Sequence, residues 1–373
     1  MENFKELGVN KNFLKGLNDM NIVKPTEIQS RVIPILLSGD ADLIGQAQTG
    51  TGKTAAFGLP MLHRINVHQN VVQGLILAPT RELGQQIAKQ LFKFTKFSEQ
   101  IFTEAVYGGA PIEKQIAALR RPTHIIVATP GRLIDLVKKK AVDLSHVSTV
   151  VLDEADEMLS MGFKKELDEI LTYTAAAQNK WLFSATMPQG IRQMVNQHLS
   201  SNAHRVEVSG KNVVNKNIEH QFLICDEKEK LNILLQFLSS QSDNRGLIFC
   251  KTKVATQTLA KQLIARNIPA GALHGDLLQK ERDKVMRAFK KGNLQMIVAT
   301  DIAARGIDVE GLSYVVHYQL PDKEEYYTHR SGRTARAGKQ GLSLSLVTTK
   351  EMKSIRYFQK ALNISFKQIR QAK

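Results

Sequence analysis

Short, uninterrupted apolar runs alternate along this chain with longer stretches in which apolar residues recur every three or four positions. In the first half the runs are Asp42–Ala47, Gly74–Ala78, His124–Thr129, Thr149–Leu152 and Trp181–Ser184. Most are rich in Val, Ile and Leu and lack polar alternation, which predicts parallel strands buried on both faces. Between them lie amphipathic helical patterns such as Glu82–Phe94. The second half repeats the scheme with Gly246–Cys250, Ala270–His274, Met296–Thr300, Tyr314–Tyr318 and Leu342–Val347. This βαβα alternation predicts an α/β fold of two domains, each a mainly parallel sheet flanked by helices. Ile125-Ile126-Val127-Ala128-Thr129 is echoed by Met296-Ile297-Val298-Ala299-Thr300, and a basic, Gly-containing loop follows each, as related domains would show. Polar and Gly residues around Glu207–Asn217 interrupt the pattern. The reading therefore divides the chain into a first domain, 1–208, a linker, 209–217, and a second domain, 218–373.

Composition adds a compartment and a partner class. Two cysteines, Cys225 and Cys250, lie in apolar runs without metal-ligand spacing, which predicts a reducing compartment and no disulfide framework. The first residues, Met1-Glu2-Asn3-Phe4-Lys5, lack the basic and apolar segments of a signal peptide. No apolar run approaches the length that spans a bilayer. A cytoplasmic protein without membrane association is expected. The formal net charge of +16 and pI near 9.7 point to a polyanion such as nucleic acid.

Two motifs carry the chemistry. Ala47-Gln48-Thr49-Gly50-Thr51-Gly52-Lys53-Thr54 follows the apolar pair Leu43-Ile44, so a strand feeds a loop that can cradle phosphates. Backbone N–H groups from Thr49 to Gly52 and the helix opening after them would wrap a polyphosphate. Lys53 would reach the β- and γ-phosphates, and the Thr54 hydroxyl would sit on Mg²⁺. Ala47 stands where such loops usually begin with Gly, and is small enough to start the turn. The second motif, Asp153-Glu154-Ala155-Asp156, ends the run Thr149–Leu152 with adjacent carboxylates, where a nucleotidase places a metal-holding Asp and a water-orienting neighbour. Together they predict hydrolysis of a nucleoside triphosphate. No second phosphate loop occurs, so the second half must serve the nucleotide differently.

Further motifs fall in a definite order: Pro25-Thr26-Glu27-Ile28-Gln29, Pro79-Thr80-Arg81-Glu82-Leu83, Gly108-Gly109, Thr129-Pro130-Gly131-Arg132, Ser184-Ala185-Thr186, Gln279-x-x-Arg282, Ala299 to Asp308, and His329-Arg330-Ser331-Gly332-Arg333-Thr334-Ala335-Arg336. In this order they closely resemble the DEAD-box ATP-dependent RNA helicases, from about Phe4 through the second domain. The resemblance implies two tandem RecA-like domains that bind ATP, Mg²⁺ and RNA in or across the cleft between them. It implies that Phe4 stacks on adenine and that Gln29 reads its edge, for which an amide offers one donor and one acceptor. It gives Asp153 the metal and Glu154 the attacking water. Asp156, Ser184, Thr186 and His329 become a polar linkage between the domains. Arg333 and Arg336, three apart on an expected helical turn, become arginine fingers, and Asp308 a ribose contact. Arg81, Gly108, Gly109, Thr129, Gly131, Arg132, Arg282 and Thr300 become contacts to the RNA backbone, with little base reading. Two positions depart from the family pattern: Ser331 is often apolar and Ala335 often Gly. The basic tail from Lys350 begins as an amphipathic helix with Ile355, Phe358 and Leu362 on one face. The implied function is RNA-stimulated ATP hydrolysis coupled to local unwinding of RNA or remodelling of ribonucleoproteins, by a core that is monomeric, with ribosome-assembly particles among its partners. A DNA helicase of the same superfamily and an ATP-gated RNA clamp remain the alternatives.

Overall fold

A computed structural model describes residues 3–48, 50–208, 216–304, 312–335 and 339–370. The chain falls into two compact units, Met1–Ser209 and Gly210–Lys373. The first holds β1 (Leu43–Gln46), β2 (Gly74–Leu77), β3 (Thr103–Val106), β4 (Ile125–Ala128), β5 (Thr149–Leu152), β6 (Asn179–Ser184) and β7 (His204–Glu207). They form a parallel seven-stranded sheet in the order β3-β4-β2-β5-β6-β1-β7. The central strands β2, β4 and β5 are buried along their whole length. Val, Ile and Leu on both faces leave them no stable place except between two layers of helices.

The second unit holds β8 (Ile218–Ile224), β9 (Gly246–Phe249), β10 (Ala270–Leu273), β11 (Met296–Ala299), β12 (Tyr314–His317), β13 (Gly341–Val347) and β14 (Phe366–Gln368). Their order, β10-β11-β9-β12-β13-β8-β14, repeats that of the first sheet strand for strand. The echoed segments lie in β4 and β11, which hold the same place in the two sheets. All pairings in both sheets are parallel, so within each unit every strand points its carboxyl end at one edge. In open α/β sheets this edge is where ligands bind.

Four strands escaped the sequence pattern. β3, β7 and β14 are polar and lie at or next to a sheet margin; β7, for example, buries only Val206. β8 is interrupted by Glu219, His220 and Gln221. The basic tail does form a helix, Met352–Leu362, that buries Ile355, Phe358 and Leu362. It then adds β14 beside β8, which the helical reading missed. Among the described residues no helix is long and apolar enough to cross a membrane.

Close approach rather than a turn demands glycine at one point. Gly16, in helix Lys11–Asp19, is packed so near helix Arg81–Phe94 that an added Cβ would collide with the carbonyl oxygens of Lys93 and Phe94. Gly16→Ala should therefore destabilise the first unit by about 1–3 kcal/mol through overpacking, in spite of a gain of roughly 1 kcal/mol in helix propensity. Trp181, the one tryptophan of the chain, is buried in this unit, so its fluorescence in a urea titration reports the shift. An unchanged or raised midpoint would show that the helices separate freely.

Candidate functional site

Strand order builds the site of the first unit. β6 lies between β1 and β5, so three loops emerge side by side: 47–52, Asp153–Glu154 and Ser184–Thr186. Gly50 and Gly52 turn the first loop through positive φ, 81° and 90°, and helix Lys53–Arg64 opens directly after it. Lys53 is buried (6% exposed), and its Nζ donates to the Ala47 carbonyl at 2.8 Å, across the mouth of the loop. Thr54 follows in the first turn, half-buried. Thr49 lies outside the described residues.

Asp153 is 3% exposed and accepts the Glu154 N–H on Oδ1 at 3.0 Å. Burial pushes its carboxyl up to about 7; the Lys53 ammonium opposes the rise, and Glu154 and Asp156 add to it. Glu154 has φ 51°, a left-handed conformation that costs a non-glycine residue roughly 1–2 kcal/mol. Strain of this kind persists where the surroundings enforce it, commonly at functional sites. It lifts Glu154 out of the strand and starts helix Ala155–Ser160. Asp156 is fixed within the same unit. Its Oδ2 accepts from the Thr186 N–H at 2.9 Å and hydroxyl at 2.7 Å, while Ser184 Oγ accepts the Asp156 N–H at 3.3 Å. Ser184 Oγ donates in turn to the Thr186 carbonyl at 2.7 Å.

Gln29 is buried, and its amide bridges two pieces of backbone. Oε1 accepts the Thr26 N–H at 2.9 Å, and Nε2 donates to the Gly52 carbonyl at 3.0 Å. Gly52 must stay glycine here, since a Cβ would strike that amide. Phe4 is also buried, 3% exposed, in the same apolar cluster as Ile28 and Leu36.

The neighbouring strand ends hold the residues expected to meet a nucleic acid. Arg81 opens the helix after β2, its guanidinium 4.8 Å over the Tyr107 ring. After β3 come Tyr107, Gly108 and Gly109, the last at φ 79°. After β4, Thr129 Oγ1 accepts the Gly108 N–H at 3.3 Å, and Arg132 donates to the Ala110 carbonyl at 3.0 Å. A Cβ at Gly108 or Gly131 would meet nothing within 4 Å, so both leave open space at the edge.

In the second unit, helix Glu324–Ser331 carries His329 and Arg330. Arg330 is 1% exposed and grips Asp301 with two hydrogen bonds, 2.5 and 2.8 Å. It also donates to the Gln319 carbonyl at 2.7 Å and lies 5.1 Å over Phe249. Arg333 lines the same small pocket with Phe249, Asp301, Tyr326 and His329. It stands beyond the helix end, in a turn, which corrects the expected helical turn through Arg333 and Arg336. Gly332 caps the helix, and Ala335 turns left-handed at φ 56°. Arg336 and Asp308 lie outside the described residues. Thr300 follows β11 and its carbonyl accepts from Ala304 at 2.9 Å, while Arg282 donates to the Ala303 carbonyl. Ser331 is fully buried where the family is often apolar, and it is satisfied by Ser343 at 3.0 Å and His317 at 3.3 Å. Lys230 opens the helix after β8, as Lys53 does after β1. It is 1% exposed and paired with Glu227 at 2.8 Å and Glu351 at 3.7 Å.

With this geometry in place, two family profiles cover most of the chain. DEAD/DEAH box helicase matches residues 26–194, and helicase conserved C-terminal domain matches 229–338. The chain is 43% identical over 94% of its length to a protein of Bacillus cereus named DEAD-box ATP-dependent RNA helicase CshA. It is 42% identical over 96% of its length to the protein of that name from Geobacillus kaustophilus, 76% of which it covers. The chain belongs to the DEAD-box helicase family. It spans 66% of the length of the Bacillus cereus relative. Among solved DEAD-box structures it resembles Saccharomyces cerevisiae Dbp5 bound to RNA and ADP BeF3, with 31% identity and TM-score 0.92 over 99% of this chain and 96% of that one.

Two DEAD-box side chains in this site were not singled out from sequence. Arg330 lies within the motif that begins at His329, but only its burial and its clasp on Asp301 reveal it as the anchor of the helix that carries His329. Tyr107 holds Arg81, and its place before Gly108-Gly109 was the available signal.

The charge state of Asp153 is testable in the ligand-free protein. The ordinary value is 3.8 and the folded one about 7, so the folded state keeps a proton that the unfolded chain releases. The resulting stabilisation is full below about pH 4 and is lost as pH rises through about 7. Asp153→Asn stays neutral, so at pH 8 it should be more stable than the parent by about 1–3 kcal/mol, with the gap narrowing toward pH 5. Denaturant midpoints at both pH values, without nucleotide or divalent cation, measure this. A parent as stable as the variant at pH 8 would refute a desolvated carboxylate.

Proposed function

We propose that this chain is an ATP-dependent RNA helicase: an RNA-stimulated ATPase that separates short duplexes and remodels ribonucleoproteins. The observation that carries the reading is the adjacency of Lys53 and Asp153, both buried, at the end of strands flanking β6. A cation and a carboxylate desolvated together, beside a loop with two glycines at positive φ, suit a polyphosphate and its counter-ion. Lys53 exchanges the Ala47 carbonyl for phosphate oxygens. Asp153 and Thr54 are the residues that would hold Mg²⁺, which supplies charge neutralisation at the phosphates. Two protein ligands suit Mg²⁺, an ion that keeps much of its water shell. Glu154, lifted from the strand by its left-handed backbone, orients and deprotonates the attacking water. Gln29 ties nucleotide recognition to the loop, since its amide already rests on Gly52; Phe4 and Asp308 complete the nucleoside contacts. Arg333 and Arg336 supply the positive charge of the second unit, a type of contribution worth on the order of 10³-fold or more in turnover.

Arg81, Gly108, Gly109, Thr129, Gly131 and Arg132, with Thr300 and Arg282, hold the sugar-phosphate backbone. The polar set Asp156, Ser184 and Thr186, with His329, couples the two events. The solved Dbp5 complex contains RNA and a nucleotide analogue, and the curated relatives are named RNA helicases; both support RNA over DNA.

Lys53→Ala should abolish RNA-stimulated ATP hydrolysis with the fold intact. Glu154→Gln should bind ATP and RNA yet turn over at least a hundredfold more slowly, on the order of the loss of one general base. Phosphate release with and without RNA, read beside strand displacement on a short duplex, tests both. Turnover by Lys53→Ala near that of the parent would sink the ATPase assignment. ATPase activity without displacement would favour a clamp.

A further inference from the structure

Helix Arg81–Phe94 begins at the strand-end edge and runs away from it for about 21 Å, at 1.5 Å per residue over its 14 residues. It buries Leu83, Ile87, Leu91 and Phe94. Its opposite side exposes Gln85, Lys89, Phe92 and Lys93, continued by Lys96 and Phe97 just past its end. The steps of three and four place these side chains in one stripe. Phe92 is 70% exposed and Phe97 43%. A single exposed ring would need no explanation; here two rings interleave with three lysines. Lys96 lies 5.2 Å over Phe97 and is paired with Asp19 at 2.8 Å. Lys89 and Lys93 make no ion pair among the described residues.

The top of the stripe is joined to the edge. Gln85 Nε2 donates to the Tyr107 hydroxyl at 2.7 Å, and that same ring carries Arg81 and precedes Gly108 and Gly109. Ammonium groups for phosphates and aromatic faces for bases are what sequence-tolerant single-strand binding uses. An acidic peptide would also meet the lysines, but continuity with the edge selects RNA.

We propose that the outward face of helix Arg81–Phe94 is a second RNA-binding track, which takes the single strand leaving the edge, with phosphates on Lys89 and Lys93 and a base against Phe92. The inference rests on the RNA-helicase reading. The test uses the full chain with a non-hydrolysable ATP analogue and two RNAs. One is a short oligonucleotide confined to the edge. The other carries roughly six more nucleotides, enough to follow the helix over its length of about 21 Å, added at either end in turn. The parent should bind the extended RNA more tightly. Phe92→Ala should lose about tenfold on the extended RNA. Lys89→Ala with Lys93→Ala should flatten the salt dependence by about 1.4 in slope, two contacts at roughly 0.7 each. Binding of the short RNA, and the ATPase it stimulates, should not change. Variants that match the parent on extended RNA at every salt concentration would overturn the track, even if the same face captured an acidic peptide. A parent that binds neither RNA would overturn the helicase reading itself, and this inference with it.

Discussion

Parallel pairing around β6 forces an ammonium and a carboxylate into one desolvated corner, and much of the first unit is arranged to tolerate that. Lys53 leaves water because it opens a helix directly behind β1; Asp153 does so because it ends a strand buried on both faces. Each would be costly alone. Together they remain imperfectly matched, since the carboxyl is still pushed up to about 7 in the presence of the lysine. The Ala47 carbonyl, the Glu154 amide and the Asp156–Ser184–Thr186 network hold the corner in shape without neutralising it. A ligand that brings its own phosphates and cation therefore finds groups that gain from its arrival.

The second unit repeats the strand order but handles buried charge differently. Arg330 is closed off by both oxygens of Asp301, a main-chain carbonyl and the Phe249 ring, so its guanidinium is a fixture of the fold. It anchors the helix that presents His329 and precedes the turn of Arg333. Beneath that helix lies a layer of hydroxyl and imidazole groups. Tyr327 meets His220 at 2.7 Å and Ser343 at 3.2 Å, and its ring stacks on His317 at 4.5 Å. Ser331 is accommodated in this layer by its contacts with Ser343 and His317. Desolvation lowers both histidines, His220 to about 4, so the layer stays neutral at physiological pH.

The layered α/β architecture was legible because central parallel strands must be apolar on both faces, as Ile125–Ala128 and Met296–Ala299 are. Strands such as His204–Glu207 and Phe366–Gln368 were not, because a sheet margin asks little of side-chain polarity. The phosphate loop and the carboxylate pair could be read from residue type and spacing alone. Backbone geometry could not: nothing in Asp153-Glu154-Ala155-Asp156 announces the left-handed turn at Glu154, and the spacing of Arg333 and Arg336 suggested a helix that Gly332 ends. The Gln29 amide can both donate and accept. Both capacities are engaged by Thr26 and Gly52, a partner choice that depends on a loop 23 residues away.

Lys230 gives the repeated framework a last consequence. It holds in the second sheet the place that Lys53 holds in the first, and it is more deeply buried, but Glu227 and Glu351 have already answered its charge. A triphosphate approaching that position would meet anions before it met the cation. The duplicated halves are thus unequal in kind. One holds its lysine against a main-chain carbonyl and a buried carboxyl, while the other pairs the corresponding lysine with two glutamates. In a chain built this way one strand order carries two opposite uses of a buried lysine.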